Sequence, residues 1–307
     1  MRNKPSNALI TAGLFFAVFV WGANNAATKY LVKTWPTNFT GSSRFITAGV
    51  LLVSLLRWTK LFGETHRVSR EMNRRLWLRG GLSLAVYILA FNLSLKLIAL
   101  SHVALYLGAS PVWALIWEGR PEKSWKSLQR YGAAALAFCG VLILLWPALR
   151  APSGNAFGEL LGLACGPLWT NFGNQCRNLG RDLTGAEVSA HTFWRAGLIL
   201  APFAVVECCT QPIPIRSDLI LAQLVCVLGG SIIAFAIWNS ALRYWQTSRV
   251  YLFNNLIPIS TTGWAHFCLG EQLSSTFWPA MMLIGAGLFL GQANFERWFG
   301  RVWLPTE

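Results

Sequence analysis

With 307 residues, 54% of them apolar and only 12% charged, the chain has too little polar surface to cover itself in water, so a membrane protein is the economical reading. The net charge of +14 raises nucleic acid as a partner, but no soluble stretch is long enough to gather the basic residues onto one binding face. The seven cysteines show neither a paired framework nor metal-ligand spacing, and there is no G-x-x-x-x-G-K-[ST], so no metal, nucleotide or other cofactor is expected.

Ten segments are apolar and long enough to cross a bilayer as helices of about 17 to 25 residues. They are 9–30, 39–56, 78–97, 102–117, 131–147, 159–177, 189–206, 219–241, 250–269 and 278–295. The first follows Arg2 and Lys4, as a signal peptide would. Its core is too long for one, it lacks a small-residue cleavage site, and it contains Asn24, Asn25 and Lys29, so it counts as a span. The third and fourth are joined by the tight link 98–101 and share a corner. The fourth and ninth carry Pro111 and Pro258 near their middles, where a missing N–H and a ring clash break the helix ladder.

Assigning Lys and Arg to loops places nineteen on the side of the N-terminus and five on the other, with Arg44 and Arg195 inside spans. By the positive-inside rule both termini are cytoplasmic, which an even number of spans satisfies. Ten of the sixteen tryptophans fall near predicted span ends, where amphipathic rings prefer the interface.

The chain repeats itself at an offset of 147 residues: 92–111 falls on 239–258 without gaps, pairing Asn92 with Asn239, Ser101 with Ser248 and Pro111 with Pro258. At the same offset 131–143 falls on 278–290, pairing Ala133 with Ala280 and Gly140 with Gly287. The two copies are taken as 1–150 and 151–307, of five spans each. Five is odd, so the second copy enters the membrane upside down relative to the first, and a central site can open to each face in turn. The expected fold is therefore an all-α membrane protein of ten transmembrane helices, two inverted five-helix repeats around a central cavity, with Pro111 and Pro258 as its hinges.

Motifs in order give this architecture a relative. The first copy reads W-G-A-N-N-A-A-T-K from Trp21, then Pro36, then Arg44-Phe45 with Ala48-Gly49; the second reads G-P-L-W around Trp169, then Trp194-Arg195-Ala196-Gly197, W-N-S-A-L-R from Trp238, and F-N-N-L-I-P to L-G-E-Q at Leu269 to Gln272. Over about 9–296 this resembles the EamA-type transporters of the drug/metabolite transporter superfamily. The resemblance implies ten helices around a cavity and outward movement of small metabolites, often amino acids or related compounds. One departure is the loop after the fourth span, Trp117 to Glu122, which has no clear equivalent of Glu271.

Polar side chains in lipid are costly and face a cavity or a partner. The substrate-binding candidates are Trp21, Asn25, Asn92, Tyr106, Trp169, Asn239 and Asn254, each weighed against the plainer role of a helix clamp or a packed ring. Asn24, Tyr87, Asn171, Asn174, Gln175, Asn255 and His266 belong to the same polar set. For Arg44 and Arg195, snorkelling or carbonyl binding is favoured over contact with an anionic solute. All twelve carboxylates lie in loops, tails or near span ends, leaving His266 as the one loose proton-relay candidate and favouring facilitated diffusion or exchange. GxxxG spacings at Gly158/Gly162/Gly166 and Gly287/Gly291 suit close helix approach, within a copy or in a homodimer.

The leading expectation is a secondary transporter of small organic metabolites, an exporter in a bacterial-type inner membrane, whose partners are its solute and the lipid bilayer. A membrane-embedded enzyme on lipid-linked substrates would need a catalytic constellation, and neither H-E-x-x-H nor G-x-S-x-G occurs. A channel or a nontransporting sensor is not excluded by duplication.

Overall fold

A computed structural model describes residues 5–59, 65–119, 124–150, 155–269, 273 and 275–292, and among these every regular element is helical. In chain order α1 is Asn7–Val32 and α2 Thr37–Trp58. Next, α3 is Arg70–Leu97 and α4 Leu100–Glu118, followed by α5, Trp125–Leu149. The second half holds α6 (Ala156–Leu179), α7 (Gly185–Thr210), α8 (Ser217–Tyr244), α9 (Leu256–Leu269) and α10 (Phe277–Gln292). A short helix, Thr247–Tyr251, and a 3-10 turn, Leu252–Asn255, lead into α9.

Local chemistry sets the boundaries. Ser6, Ser69 and Asn155 each take a hydrogen bond from a first-turn N–H of α1, α3 and α6. Thr184 and Glu187 form a reciprocal capping box at the start of α7. At the other end of α4, Gly119 turns the chain with φ 125°, a conformation that favours glycine. Lys29, inside α1, donates to the carbonyls of Leu95 and Ile98, so its charge serves the orphan carbonyls at the end of α3.

Among the described residues seven helices are long and apolar enough to cross a membrane: α1, α2, α3, α4, α7 and α8, and α5 over Trp125–Pro147. α10 is apolar but shorter. α6 has the length at 24 residues, but its second half carries Thr170, Asn171, Asn174, Gln175 and Arg177, which dilute its hydropathy. The protein is an integral membrane protein, and it wears the surface of one. Phe15, Phe16, Phe19, Val205, Val206, Leu221, Met282 and Phe289 all face outward, a surface suited to lipid.

Four features organise the packing. α2 lies along α7, with neighbours in descending order: Asn38 beside Glu207, Ser42 beside Gly197 and Gly49 beside Trp194. α5 lies along α10, where a Cβ on Gly140 would come 2.9 Å from the Ala280 carbonyl and one on Gly287 would come 2.8 Å from the Ala133 carbonyl. α3 packs on α6, and α1 packs on both α8 and α9. The glycine stripe of α6 is filled by Leu97, Ile98, Tyr106 and Trp113, and Gly287 and Gly291 face Ala133, Ala137 and Leu252, so both stripes are used inside the chain.

The structure adds a feature that hydropathy does not encode. α3 and α8 each contain a π-helical stretch, Leu76–Gly81 and Val225–Ala234, with a glycine pair in each. Such stretches displace carbonyls from the i−4 ladder and often mark functional positions.

Candidate functional site

The two halves meet in an aromatic seam. Trp21 of α1 and Trp169 of α6 touch edge to face with ring centroids 5.6 Å apart, and Phe235 and Trp238 of α8 close around them at 5.0 and 4.8 Å from Trp21. Tyr87 of α3 lies 5.0 Å from Trp169. The indole N–H of Trp21 donates to the Gly230 carbonyl at 2.9 Å, a carbonyl of the π-helical stretch of α8. The Tyr251 hydroxyl donates to the Trp169 backbone carbonyl at 2.6 Å, and its ring packs on the Trp169 ring with centroids 5.7 Å apart. Rings fixed in this way form a rigid wall rather than a greasy interior.

Beside that wall lies a cavity of about 50 Å³ lined by Trp21, Asn24, Asn25, Arg44, Tyr87, Ile88, Phe91, Leu107, Trp169, Phe235, Asn254 and Ile257. Both halves contribute, and so do α1, α2, α3, α4, α6, α8, α9 and the 3-10 turn before α9. Its polar content is concentrated. Asn24 Nδ2 contacts Asn25 Oδ1 at 3.4 Å, while Asn24 Oδ1 and Asn254 Oδ1 are buried and have no partner within the chain. The Arg44 Nε donates to Ser231 Oγ at 2.7 Å. Unpaired acceptors in an apolar setting are costly, and native proteins keep them where a ligand or water answers them.

Four of the seven candidate residues, Trp21, Asn25, Trp169 and Asn254, line this cavity. The other three lie elsewhere. Asn92 donates to the Thr37 carbonyl at 3.3 Å and Asn239 to Ser189 Oγ at 2.9 Å, so each ties the end of one helix to the start of another in its own half. Tyr106 points at α6, donating to Glu159 Oε2 at 2.6 Å, while His102 Nδ1 approaches Glu159 Oε1 at 2.7 Å. That His102–Glu159–Tyr106 cluster joins the first two turns of α4 to the first turn of α6 and escaped sequence reasoning, because its members are 57 positions apart at most and belong to no motif. His266 lies against the Phe267 ring and not among the cavity residues.

Both prolines stand at helix breaks. α4 is two pieces, Leu100–Gly108 and Ser110–Glu118, with Pro111 in the first turn of the second piece. Pro258 follows the change from 3-10 to α geometry at Leu256. The two breaks face one another: a Cβ on Gly108 would lie 3.4 Å from Asn255 Oδ1. Buried polar atoms without partners in the chain collect there, on Ser110, Asn254 and Asn255.

The last residue of α4 has a use. Glu118 accepts from the Ser248 backbone N–H at 2.9 Å and from its hydroxyl at 2.7 Å, and pairs with Arg130, capping the short helix Thr247–Tyr251. Glu271, the glutamate of the second copy's L-G-E turn, lies outside the described residues.

A larger space of about 560 Å³ opens between the end of α2, the start of α3 and α7, lined in part by Ser54, Arg57, Arg70, Asn73, His191 and Arg195. Size alone would favour it. The seam cavity is the better candidate because two unpaired acceptors, Asn24 Oδ1 and Asn254 Oδ1, are buried in its wall, whereas the larger space has Arg57 and Arg70 exposed at its rim.

Comparison with known proteins agrees with this architecture. The sequence profile of the EamA-like transporter family matches residues 9–146 and again 156–291. The chain is 21% identical to an uncharacterized transporter of Archaeoglobus fulgidus, over 92% of this chain and 96% of that one. It is 22% identical to an S-adenosylmethionine/S-adenosylhomocysteine transporter of Chlamydia trachomatis, over 94% and 89% respectively. To a probable amino-acid metabolite efflux pump of Salmonella typhimurium it is 27% identical, over 53% of this chain and 57% of the other. A protein of known crystal structure superposes with a TM-score of 0.74 at 19% identity, covering 94% of this chain and 97% of that one, and so shares its fold.

Proposed function

The chain belongs to the EamA-like transporter family, and on that premise we propose that it is a secondary transporter carrying a small organic metabolite by alternating access through the seam cavity. The reading has it cross a bacterial-type inner membrane ten times with both termini in the cytoplasm, and move its solute outward. The observation that carries it is the cavity itself, whose lining comes from both matched halves and whose buried Asn24 and Asn254 acceptors have no partner in the chain.

The packing supports inversion of the halves. Contacts along α2 and α7 descend on one helix as they ascend on the other, and the Gly140–Ala280 and Gly287–Ala133 contacts exchange places when the copies are exchanged. Equivalent helices that run antiparallel belong to copies of opposite orientation. Amino acids and related metabolites are favoured as cargo by the efflux pumps and the S-adenosylmethionine transporter among the relatives. At about 50 Å³ the cavity is smaller than a ligand pocket of roughly 300 Å³ or more, so loading requires the helices around it to part. Pro111 and Pro258, at breaks that meet in the same layer, are the proposed hinges.

Counterflow into proteoliposomes tests the reading. Saturable uptake that is accelerated by unlabelled solute inside the vesicle is expected; unsaturable flux would make the protein a channel, and no flux a sensor or an enzyme.

A further inference from the structure

Among the described residues, Arg44 is a buried charge with no opposite charge beside it. It is 5% exposed, lies in α2 at the cavity wall, and spends one nitrogen on Ser231. Its guanidinium also rests 4.9 Å over the Phe45 ring. None of the ion pairs among the described residues includes it, and no Asp or Glu lines the cavity. A guanidinium does not escape burial by losing its proton, as a lysine can. Within a membrane such a group stands where a cavity or a counter-charge receives it.

The remaining donors of a guanidinium fork match the two oxygens of a carboxylate. The surroundings complete the complementarity. Asn24 Oδ1 and Asn254 Oδ1 are acceptors in want of a donor, and the Trp21, Trp169 and Phe235 rings supply an apolar wall to the same space.

We propose that Arg44 is the counter-ion for a carboxylate of the transported solute, which makes that solute a small organic acid whose N–H donors face Asn24 and Asn254 and whose apolar body lies against the rings. The proposal rests on the transport reading above and narrows it. It also gives the unpaired arginine a role in the cycle: the solute carboxylate answers the guanidinium in the loaded cavity, and the empty cavity leaves that charge unanswered.

The test uses purified full-length protein in proteoliposomes and three matched probe pairs: L-phenylalanine, L-leucine and 3-phenylpropionate, each beside its primary amide. The expected result is saturable counterflow of at least one acid and not of its amide, with Arg44→Gln raising the KM for that acid about tenfold or more and Arg44→Lys falling between. Acid and amide carried alike, amides carried alone, or an unchanged KM in Arg44→Gln would overturn the counter-ion role while leaving transport standing. No saturable counterflow of any probe would remove the transport reading and the proposal with it. Should Arg44→Gln lose its monodisperse size-exclusion profile, the acid-over-amide preference of the unaltered protein decides the matter.

Discussion

Arg44 and Arg195 lie on helices packed side by side, each beside the π-helical stretch of a different helix: Arg44 on Ser231 of α8, and Arg195 against Gly81 of α3. Their circumstances then diverge. Arg195 donates to the His191 carbonyl at 2.7 Å and to Asn73 Oδ1 at 2.6 Å, and its guanidinium lies 4.1 Å over the Trp194 ring. It binds α7 to α3 and leaves only Nε without a partner. Arg44 has one hydrogen bond and an open cavity before it. The two arginines sit on matching helices but not at matching positions, since the 147-residue offset sets His191 opposite Arg44; one is spent on structure, and the other faces the cavity.

Replacing each arginine with methionine, which keeps much of the volume, breaks or sharpens this contrast. Arg195→Met should show the largest effect, a loss of about 3 kcal/mol from two charge-assisted hydrogen bonds and the ring contact, read as a lowered Tm in detergent. Arg44→Met should move stability by no more than about 1 kcal/mol in either direction, since losing the Ser231 bond is offset by removing a buried charge. Equal losses at both sites would erase the distinction.

The asparagine clamps come next. Asn92→Ala and Asn239→Ala should each cost about 1 kcal/mol, add when combined, and leave the KM for the solute where it was. A raised KM would return these residues to the binding site. The smallest stability change is expected for Pro111→Ala and Pro258→Ala, because the neighbouring break already forgoes the ladder bond. Counterflow turnover should nevertheless slow in both, with KM held, and a change in only one would make the hinge one-sided.

Much of this was readable in advance for definite reasons. The spans announce themselves because lipid demands long apolar helices, and the repeat at 147 residues found Gly140 and Gly287, which do meet the opposite helix through the same surface. Trp21 and Trp169 were marked by matching position and are in contact. Recurrence misled in one respect. Asn92 and Asn239 recur, yet each ties helices within its own half, to the Thr37 carbonyl and to Ser189 Oγ, and neither is among the residues lining the cavity. The π-helical stretches left no pattern in hydropathy. Arg44 was legible only as an arginine in a span; its freedom depends on Asp and Glu being elsewhere in three dimensions, which no local motif records.

The central claim, a seam cavity open to each side in turn, is best tested at Ile257, which lines it and is apolar. Ile257→Cys in a cysteine-free background should react with a membrane-impermeant thiol reagent in right-side-out vesicles and in inside-out vesicles alike. Reaction from one face only would contradict alternating access through this cavity.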